Sequence, residues 1–455
     1  MNLAIVVLAA GEGTRMKSAL PKVMHPLAGR PMVLHVLDTA SALEPAALAM
    51  VIGHRAEMVR EALGEGMTYV NQEQQLGTGH AVQQAEQALA GKAGTVLVLY
   101  GDTPLIRPET LQHMLEQHEA ERAAATILTF RPNNPQGYGR IVREPGTGRV
   151  LAIVEEDDTT PEQRAIDEVN SGILCFRDDW LWPNLARVQK SAAGEFYLTD
   201  LVALTRDQGE VVAALRVDDA TEVIGIDHRA KLALAEAEMR RRINDRWMLA
   251  GVTMIDPSTT YIEAGVEIGS DTVLWPNTVL QGTTRIGQAC TIGPGTIIRD
   301  STVGNGCRVE MSVVEGAIME ASSDIGPFGH LRKGAHLAEG AHMGNFGEMK
   351  NSYLGPGAKM GHFSYLGDAT VGAGANIGAG TITCNYDGRH KHKTVIGEKA
   401  FIGSDTMLVA PVEIGAGAKT GAGSVVTRDV PPGALAYGVP SRLRPPAAAD
   451  GSEEE

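Results

Sequence analysis

Aromatic residues and cysteines are scarce in this chain. Phe, Trp and Tyr make up 4% of its 455 residues, whereas 53 residues are glycine, as a fold with many tight corners requires. The four cysteines, Cys175, Cys290, Cys307 and Cys384, lie far apart without paired or metal-ligand spacing. This distribution argues against a disulfide scaffold and favours a reduced, cytoplasmic protein.

The sequence also has no hydrophobic run long enough to span a membrane. Its first apolar segment, residues 3–10, is short and follows no basic region, so we expect a buried strand rather than a signal peptide. The formal net charge of −15 argues against general nucleic-acid binding. An acidic protein still binds anions where a few cations are concentrated. We therefore expect small-molecule substrates, no nucleic acid and no integral membrane contact.

A six-residue repeat dominates the second half of the chain. Its aliphatic positions are Ile268, Leu274, Leu280, Ile286, Ile292 and Ile298, then Cys307, Val313, Met319, Ile325, Leu331, Leu337 and Met343, and later Ile396, Ile402, Leu408, Ile414, Thr420 and Val426. Neither a helix nor an ordinary strand has this period, whereas a coil of three short strands does. The repeat therefore predicts a parallel β-helix of the hexapeptide kind over about residues 265–427, with roughly nine coils.

The first half of the chain alternates strands with helices. Buried strands are predicted at 3–8, 47–52, 95–99 and 126–130, and helices near 31–43, 55–63, 79–90 and 108–121. This alternation predicts an α/β doubly wound domain with a largely parallel sheet, in which ligands bind beyond the carboxyl ends of the strands.

A chain of this length favours two domains and a connector. Residues 229–250 are rich in strong helix formers, so we expect a linking helix there. The predicted domains are 1–228 and 251–455, and the second ends in a disordered tail from residue 445.

Glycines and cations follow the first predicted strand. Gly11 and Gly13 would let backbone amides close on phosphate oxygens, and Arg15 and Lys22 add positive charge. The spacing matches neither the Walker loop nor the dinucleotide fingerprint. On this segment alone, a plain turn and a phosphate site are equally compatible with the sequence.

Polar residues also follow two later strands. Gln72 and the segment 75–80 offer amides and exposed backbone suited to the edge of a base. Asp102 follows the strand at 95–99, and a carboxylate there suits Mg²⁺ bound together with substrate phosphates. A Gly-Asp pair alone is more typical of a surface turn. These segments therefore favour a binding site only when they are considered together.

The hexad array is interrupted most strongly at residues 383–393, a cationic segment without core-forming side chains. Arg332, Lys350 and Lys391 could together bind a phosphate. His362 follows a Met-Gly pair, which favours a corner of a coil. A single histidine on such a surface usually has no catalytic role, but the nearby cations and the long segment favour a site here.

Taken together, the segments of the first domain resemble the sugar-nucleotide pyrophosphorylase family. The resemblance implies a nucleotide-sugar site formed by Leu8, Ala9, Ala10, Gly11, Arg15, Lys22, Gln72, Gly77, Thr78, Tyr100, Gly101, Asp102, Gly139, Glu155, Asn170 and Asp227. Within this set, Gly139, Glu155 and Asn170 would hold the sugar, and Asp102 and Asp227 would hold Mg²⁺. Asp227 stands where the family usually has Asn.

With the hexad array included, residues 3 to about 428 are similar to the bacterial bifunctional N-acetylglucosamine-1-phosphate uridyltransferases/glucosamine-1-phosphate acetyltransferases. This implies a left-handed β-helix, a homotrimer with shared acetyltransferase sites, and acetyl-CoA and UTP as donors. The product would be UDP-N-acetylglucosamine, a cell-envelope precursor. The expected general base is His362. The aminosugar phosphate would be bound by Arg332, Lys350, Tyr365, Asn376 and Lys391, and acetyl-CoA by Ala379, Asn385, Tyr386, Ser404 and Ala422.

Two features depart from the family motif. The C-terminal Arg that the family uses on the coenzyme is missing at its place in residues 436–440, and whether Arg442 replaces it stays open. His390 and His392 are not part of the motif, and we expect both to be solvated loop residues.

Two alternative functions remain. One is a single-activity sugar-nucleotide pyrophosphorylase whose β-helix is structural or regulatory, and His362 with its neighbouring cations argues against it. The other is a regulatory scaffold with a degenerate first domain, and the intact Gly11, Lys22 and Asp102 argue against that.

Overall fold

The computed structural model describes residues 2–191 and 194–444. The chain divides into two compact units, Met1–Met239 and Arg240–Glu455. The tail predicted from residue 445 lies outside the described residues. No helix within 2–191 and 194–444 combines the length and the apolarity needed to cross a membrane.

The first unit is built on a sheet buried on both faces. Its strands are β1 (Leu3–Ala9), β2 (Ala47–Ile52), β3 (Thr68–Asn71), β4 (Thr95–Tyr100), β5 (Ala125–Phe130), β6 (Arg140–Arg143), β7 (Val150–Val154), β8 (Val169–Arg177) and β9 (Val212–Arg216). The main order is β9-β5-β8-β4-β1-β2-β3. Strand β8 is antiparallel to β4 and β5, and β6 and β7 form an antiparallel pair. Strand β8 is also antiparallel to β6, with Val169 opposite Arg140. The remaining pairs, β1 with β2 and β4, β2 with β3, and β5 with β9, are parallel, which confirms the predicted largely parallel sheet.

Helices cover both faces of this sheet. They are α1 (Met32–Ala42), α2 (Ala56–Leu63), α3 (Thr78–Gln84), α4 (Glu86–Leu89), α5 (Pro108–Ala120), α6 (Pro161–Arg164), α7 (Asp178–Leu185), α8 (Asp200–Asp207) and α9 (Arg229–Leu249). Along β1, Ile5 and Val7 belong to one hydrophobic cluster and Val6 and Leu8 to the other, because successive strand side chains point to opposite faces.

Short elements complete the unit and the connection. They are the two-residue strands Pro26–Leu27 and Arg30–Pro31 and the 3₁₀ turns Thr14–Met16, Lys22–Met24, Glu156–Asp158, Ala220–Val223 and Pro257–Thr259. The boundary between the two compact units falls inside α9, after Met239. The predicted strands and helices agree with the observed ones to within one residue, except that the helix near 79–90 is divided at Ala85 into α3 and α4.

The second unit is a parallel β-helix whose strands lie on three faces. Face one comprises Thr253–Met254, Val273–Leu274, Thr291–Ile292, Arg308–Val309, Asp324–Ile325, His342–Met343, Lys359–Met360, Asn376–Ile377, Phe401–Ile402, Lys419–Thr420, Leu435–Tyr437 and Arg442–Arg444. Face two comprises Tyr261–Ile262, Val279–Gln281, Ile297–Arg299, Val313–Glu315, His330–Leu331, Gly347–Lys350, Ser364–Gly367, Ile382–Cys384, Met407–Val409 and Val425–Val426. Face three comprises Glu267–Ile268, Arg285–Ile286, Thr302–Val303, Ile318–Met319, His336–Leu337, Tyr353–Leu354, Ala369–Val371, Thr394–Ile396 and Val412–Ile414.

The aliphatic positions of the hexad form the core of this β-helix, except that Val313 is half-buried and its neighbour Val314 takes the core position. Leu274, Leu280 and Ile286 lie on three different faces of one coil, and each is buried. The β-helix is longer than predicted, since its first strand is Thr253–Met254 rather than one near residue 265. The first coil does not follow the six-residue spacing, because the turn Pro257–Thr259 lies between its buried residues Met254 and Ile262.

Candidate functional site

A cavity of about 280 Å³ opens at the carboxyl ends of β1 and β4 in the first unit. It is lined by Leu8, Ala9, Ala10, Gly11, Lys22, Val23, Gln72, Gln75, Gly77, Thr78, Ala81, Tyr100, Asp102 and Glu195. Most of the residues assigned to the nucleotide by resemblance are therefore brought together here. Gly101 lies between two lining residues, and its amide donates to Leu8 O at 2.9 Å.

Backbone and amide groups fix the shape of the cavity wall. The buried Gln72 donates through Nε2 to Gly77 O at 3.1 Å, and Gln75 Nε2 donates to Ala10 O at 2.8 Å. Gly77 has φ of +100°, and a Cβ there would lie 2.7 Å from Phe196 O. Only glycine fits this position, which explains why the Leu-Gly-Thr-Gly segment can follow the wall so closely.

A second group of residues adjoins the cavity through Tyr100. The Tyr100 ring lies 3.0 Å from where a Cβ on Gly172 would stand. Burial raises the pKa of its hydroxyl strongly, and the nearby Glu155 and Asp102 carboxylates raise it further. The hydroxyl of Tyr100 is therefore a neutral hydrogen-bonding group at this wall.

The three residues assigned to the sugar lie close together. Gly139 O accepts from Asn170 N at 2.8 Å, and a Cβ on Gly139 would lie 3.3 Å from Glu155 Oε2. Glu155 Oε1 accepts from Thr199 Oγ1 at 2.8 Å. Burial raises the pKa of Glu155, partly offset by that hydrogen bond. The structure thus brings these three residues together beside the cavity, although none of them lines it.

Two carboxylates and their cations lie at the mouth of this region. Lys22 Nζ pairs with Asp102 Oδ2. Asp227 Oδ2 lies 2.9 Å from Arg15 Nη1, and its Oδ1 lies 3.2 Å from Lys231 Nζ. The Ile226 amide donates to Asp102 O at 2.8 Å, so the two Asp-bearing segments are adjacent. Arg15 does not line the cavity and is largely exposed, so its charge acts through Asp227 rather than from the cavity wall.

This donor set fits Mg²⁺. Within the described residues, no group of three or more His, Cys, Asp or Glu side chains could hold a metal. Mg²⁺ needs only one or two carboxylates when substrate phosphates complete its shell. Asp227 Oδ1 is buried, and its contact with Lys231 at 3.2 Å is an ion pair rather than a hydrogen bond, so a metal cation could bind this oxygen in place of the ammonium group.

In the second unit, four of the assigned residues share one corner of the β-helix. His362, Ala379, Ser404 and Ala422 each stand two positions after a paired residue of face one, in four successive coils. Because adjacent strands are about 4.8 Å apart, these positions form a column about 15 Å long. His362 is exposed at one end of it.

Arg332 and Lys350 lie where face two ends, towards face three. Arg332, Lys350 and Tyr365 belong to three successive coils, and Arg332 Nη1 pairs with Glu348 Oε1 at 2.8 Å. Lys391 and Lys350 both act electrostatically on Asp368. Asn376 differs from this group, since it lies on face one across the corner from Tyr365.

The segment 385–393 is a compact loop between face two and face three. The carboxylate of Asp387 accepts the amides of Arg389 and His390, each at 2.7 Å, and lies 2.7 Å from His392 Nε2. These contacts lower the pKa of Asp387 to about 2, the His390 amide contributing most. His390 is exposed, as expected, and His392 is also a loop residue, with 33% of its side chain exposed and its ring bound to Asp387.

Comparison with known proteins agrees with this geometry. Residues 5–224 match the family of MobA-like NTP transferase domains, and residues 393–428 match the bacterial transferase hexapeptide (six repeats). "Bifunctional protein GlmU" of Shouchella clausii is 48% identical over 94% of this chain and 95% of its own length. The corresponding protein of Pelobacter propionicus is 48% identical over 96% and 95%, and that of Heliobacterium modesticaldum is 49% identical over 95% and 94%.

The chain belongs to the GlmU family. It is a bifunctional enzyme with uridyltransferase and acetyltransferase activities, and its substrates include a nucleotide and acetyl-CoA. The β-helix is the left-handed, hexapeptide-repeat kind. The fold, the recognition of the family and both activities predicted from the sequence are confirmed.

Two further surfaces of this GlmU-family chain bear on its sites. Arg442 lies on an exposed strand antiparallel to Leu435–Tyr437, with Tyr437 as its partner in register. At the corner that carries His362, the exposed side chains of Phe328, Phe346 and Phe363 follow one another in successive coils, and the first two rings stack at 5.3 Å.

Two residues of the first site could not be identified from the sequence. Glu195 and Val23 line the cavity but carry no recognisable motif. Glu195 is brought there by the backbone hydrogen bond from Phe196 N to Leu76 O at 2.8 Å. No local pattern could have indicated a contact between segments so far apart in sequence.

Proposed function

We propose that the second unit acetylates glucosamine 1-phosphate with acetyl-CoA and that the first unit transfers UMP from UTP to the resulting N-acetylglucosamine 1-phosphate. The observation that carries this proposal is that face two has the column of His362, Ala379, Ser404 and Ala422 at the corner where it begins and the cations Arg332 and Lys350 where it ends. A β-helix that served only as a scaffold would need neither.

For uridyl transfer, a phosphate oxygen of N-acetylglucosamine 1-phosphate attacks the α-phosphorus of UTP. The new P–O bond replaces the bond to the β-phosphate, and pyrophosphate leaves. The attacking oxygen is already anionic, so no general base is needed, and positioning with charge neutralisation carries the rate. Lys22 and the Gly11 segment lie where they can bind the phosphates, and Arg15 acts through Asp227.

Asp102 and Asp227 would hold Mg²⁺, which neutralises developing negative charge on the phosphates when bound. Tyr100 and Gln72 would orient the nucleotide against the cavity wall. Gly139, Glu155 and Asn170 would bind the sugar, since they lie together on the far side of Tyr100.

For acetyl transfer, the amine of glucosamine 1-phosphate attacks the thioester carbonyl of acetyl-CoA. The new C–N bond replaces the C–S bond, the coenzyme leaves as its thiolate, and the nitrogen loses a proton. His362 accepts this proton. Arg332, Lys350, Tyr365, Asn376 and Lys391 would hold the sugar phosphate, and Ala379, Asn385, Tyr386, Ser404 and Ala422 would meet acetyl-CoA.

The enzyme would act as a homotrimer with acetyl sites shared between neighbouring β-helices, in the cytoplasm. The exposed column of Phe328, Phe346 and Phe363 supports the trimer, because adjacent exposed aromatic side chains mark surfaces that are covered in an assembly. The four free cysteines fit a reducing compartment.

The replacement Asp227→Asn should be mild. The ligand oxygen remains, and the family usually has Asn at this position, so we expect the kcat of uridyl transfer to change by less than about fivefold. Its Mg²⁺ requirement should shift towards higher concentration, since one negative charge is lost. Titrating Mg²⁺ in a pyrophosphate-release assay measures both. A fall in kcat of at least about 10³-fold in a folded protein would show that the charge of Asp227 is essential.

The two activities should be separable. A fragment of residues 1–250 contains the whole cavity and should keep uridyl transfer, whereas it lacks His362 and should lose acetyl transfer completely. The full chain, assayed in parallel with the same substrates, is the control. A folded fragment that cannot convert UTP and N-acetylglucosamine 1-phosphate to UDP-N-acetylglucosamine would show that the assignment of the domains is wrong.

A further inference from the structure

Asp368 lies at the centre of the acetyl-transfer region without an assigned role. It occupies the corner between the strands Ser364–Gly367 of face two and Ala369–Val371 of face three. Its φ is +51°, a left-handed conformation that Asp and Asn adopt more readily than most residues. Both of its carboxylate oxygens are used: Oδ1 accepts from Asn351 Nδ2 and Oδ2 from Asn385 Nδ2, each at 2.6 Å.

These contacts join Asp368 to both ends of the loop 385–393. Asn385 is the first residue of that loop, and its amide donates to the carboxylate. At the other end, the amide of Thr394 donates to the backbone carbonyl of Asp368 at 3.2 Å. One residue therefore holds the loop closed at its base and fixes where Lys391 is presented.

The contact also sets the orientation of the Asn385 side chain. Because its Nδ2 donates to Asp368, its Oδ1 acceptor is turned away from the carboxylate. Asn385 is itself buried, and a Cβ on Gly367 would clash with Asn385 Nδ2 and with Tyr365 Oη. The side chains of Asn385 and Tyr365 thus pack over Gly367, which has no room for a larger residue.

The charge of Asp368 is matched to the cations around it. Burial alone would raise the pKa of this carboxyl, but the hydrogen bonds from Asn351 and Asn385 and the charges of Lys391 and Lys350 hold the pKa below its usual value. The carboxylate is therefore ionised at neutral pH and faces two of the cations proposed to bind the sugar phosphate.

We infer that Asp368 is a positioning residue for acetyl transfer, which orients Asn385 and holds Lys391 at the substrate. This inference rests on the proposed roles of those two residues in the second site. Asp368 itself touches no reacting atom. Its effect should appear in substrate binding more than in the chemical step.

The test is Asp368→Asn in the full-length enzyme. Asn can adopt the same left-handed conformation at this corner. Its side chain has only one acceptor oxygen, and its NH₂ group would face the NH₂ group of one of the two donors, Asn351 or Asn385. One of the two hydrogen bonds is therefore lost together with the charge. We expect the KM for acetyl-CoA to rise about 10-fold, the scale of one hydrogen bond to a charged group. The limiting kcat should stay within about threefold of the wild-type value. An interaction that binds the substrate and the transition state equally changes the KM and leaves kcat unchanged.

A reciprocal exchange provides the rescue. Asn351 also has a left-handed φ, +48°, at the same corner one coil earlier. In the double variant Asp368→Asn/Asn351→Asp, the amide introduced at position 368 can donate to the carboxylate introduced at position 351 and accept from Asn385. The negative charge is then retained one coil away, and the KM for acetyl-CoA should return to within about threefold of wild type.

Asp300 offers a matched control. It occupies the equivalent corner four coils earlier with φ of +47°, and its Oδ1 accepts from Thr283 N at 3.0 Å. Asp300→Asn should leave both acetyl-transfer constants unchanged.

Each result decides the inference. It is overturned if Asp368→Asn leaves the KM unchanged, if Asp300→Asn raises the KM equally, if the exchange gives no rescue, or if Asp368→Asn unfolds the β-helix by circular dichroism, which would make the role structural. Absence of acetyl transfer in the wild-type enzyme would instead refute the proposed function.

Discussion

Replacing Asp102 by Ala should nearly abolish uridyl transfer and leave acetyl transfer intact. The substitution removes a proposed oxygen ligand of Mg²⁺ and also the partner of Lys22. Loss of a group that stabilises charge on a transferring phosphoryl group costs about 10²–10³-fold or more, and here two such groups are disturbed. We therefore expect kcat to fall at least about 10³-fold.

Pyrophosphate release from UTP and N-acetylglucosamine 1-phosphate measures this effect at saturating Mg²⁺. Asp38→Ala is the control, because this carboxylate is exposed, pairs with Arg30 at 2.7 Å and lies in the same unit. Exposed ion pairs of that kind contribute little to stability, so the control should behave as wild type. If a folded Asp102→Ala protein keeps about a tenth of its uridyl transfer, Asp102 does not hold the metal.

Replacing His362 by Ala should depress acetyl transfer selectively. The amine cannot attack the thioester while protonated, and removal of a general base typically costs about 10²–10⁴-fold in rate. The KM for glucosamine 1-phosphate should change little, because Arg332 and Lys350 lie on face two and remain in place. Uridyl transfer should be unaffected, since its cavity is formed by the first unit alone.

The pH–rate profile distinguishes the loss of a base from a general disturbance. General-base catalysis gives the pH–rate profile a limb that disappears with the base, so the wild-type profile should have a limb that the variant lacks. His390→Ala is the matched control, as His390 is exposed in the neighbouring loop. Near-normal acetyl turnover in a folded His362→Ala enzyme would show that His362 is not the base, and the histidines of residues 383–393 would then be the next candidates.

The β-helix could be predicted because its pattern is local. Every coil repeats the same inward aliphatic position, so Leu274, Leu280 and Ile286 are recognisable from their spacing alone. The first coil was not predicted, since the Asp256 side chain accepts from Ser258 N and stabilises a turn that breaks the six-residue spacing. Insertions of this kind have to be recognised one by one.

Strand β8 could not be predicted from the sequence. Its antiparallel pairing has a register shift between Asn170 and Leu174, where Ser171 and Gly172 interrupt the apolar pattern. A bulge of this kind removes the period of two that identifies a strand. The strand nevertheless brings Asn170 beside Gly139.

The sites were predictable as sets of segments but not as contacts. Parallel strands place their carboxyl ends together, so the Gly11 segment and Asp102 could be assigned to one edge of the sheet. The pairing of Lys22 with Asp102, and of Arg15 with Asp227, depends on side-chain positions that no periodicity encodes. The same holds for the Asp387–His392 contact, where composition alone suggested two solvated histidines.

One measurement tests most directly whether a single chain performs both reactions. Purified enzyme with Mg²⁺ is given glucosamine 1-phosphate, acetyl-CoA and UTP, and the products are resolved by mass spectrometry. We expect UDP-N-acetylglucosamine, pyrophosphate and free coenzyme A, and no acetylated sugar nucleotide when acetyl-CoA is omitted. Replacement of UTP by each other nucleoside triphosphate should stop the second step and let N-acetylglucosamine 1-phosphate accumulate. Uridyl transfer to added N-acetylglucosamine 1-phosphate without any acetylation of glucosamine 1-phosphate would contradict the proposed acetyl transfer and identify the β-helix as structural.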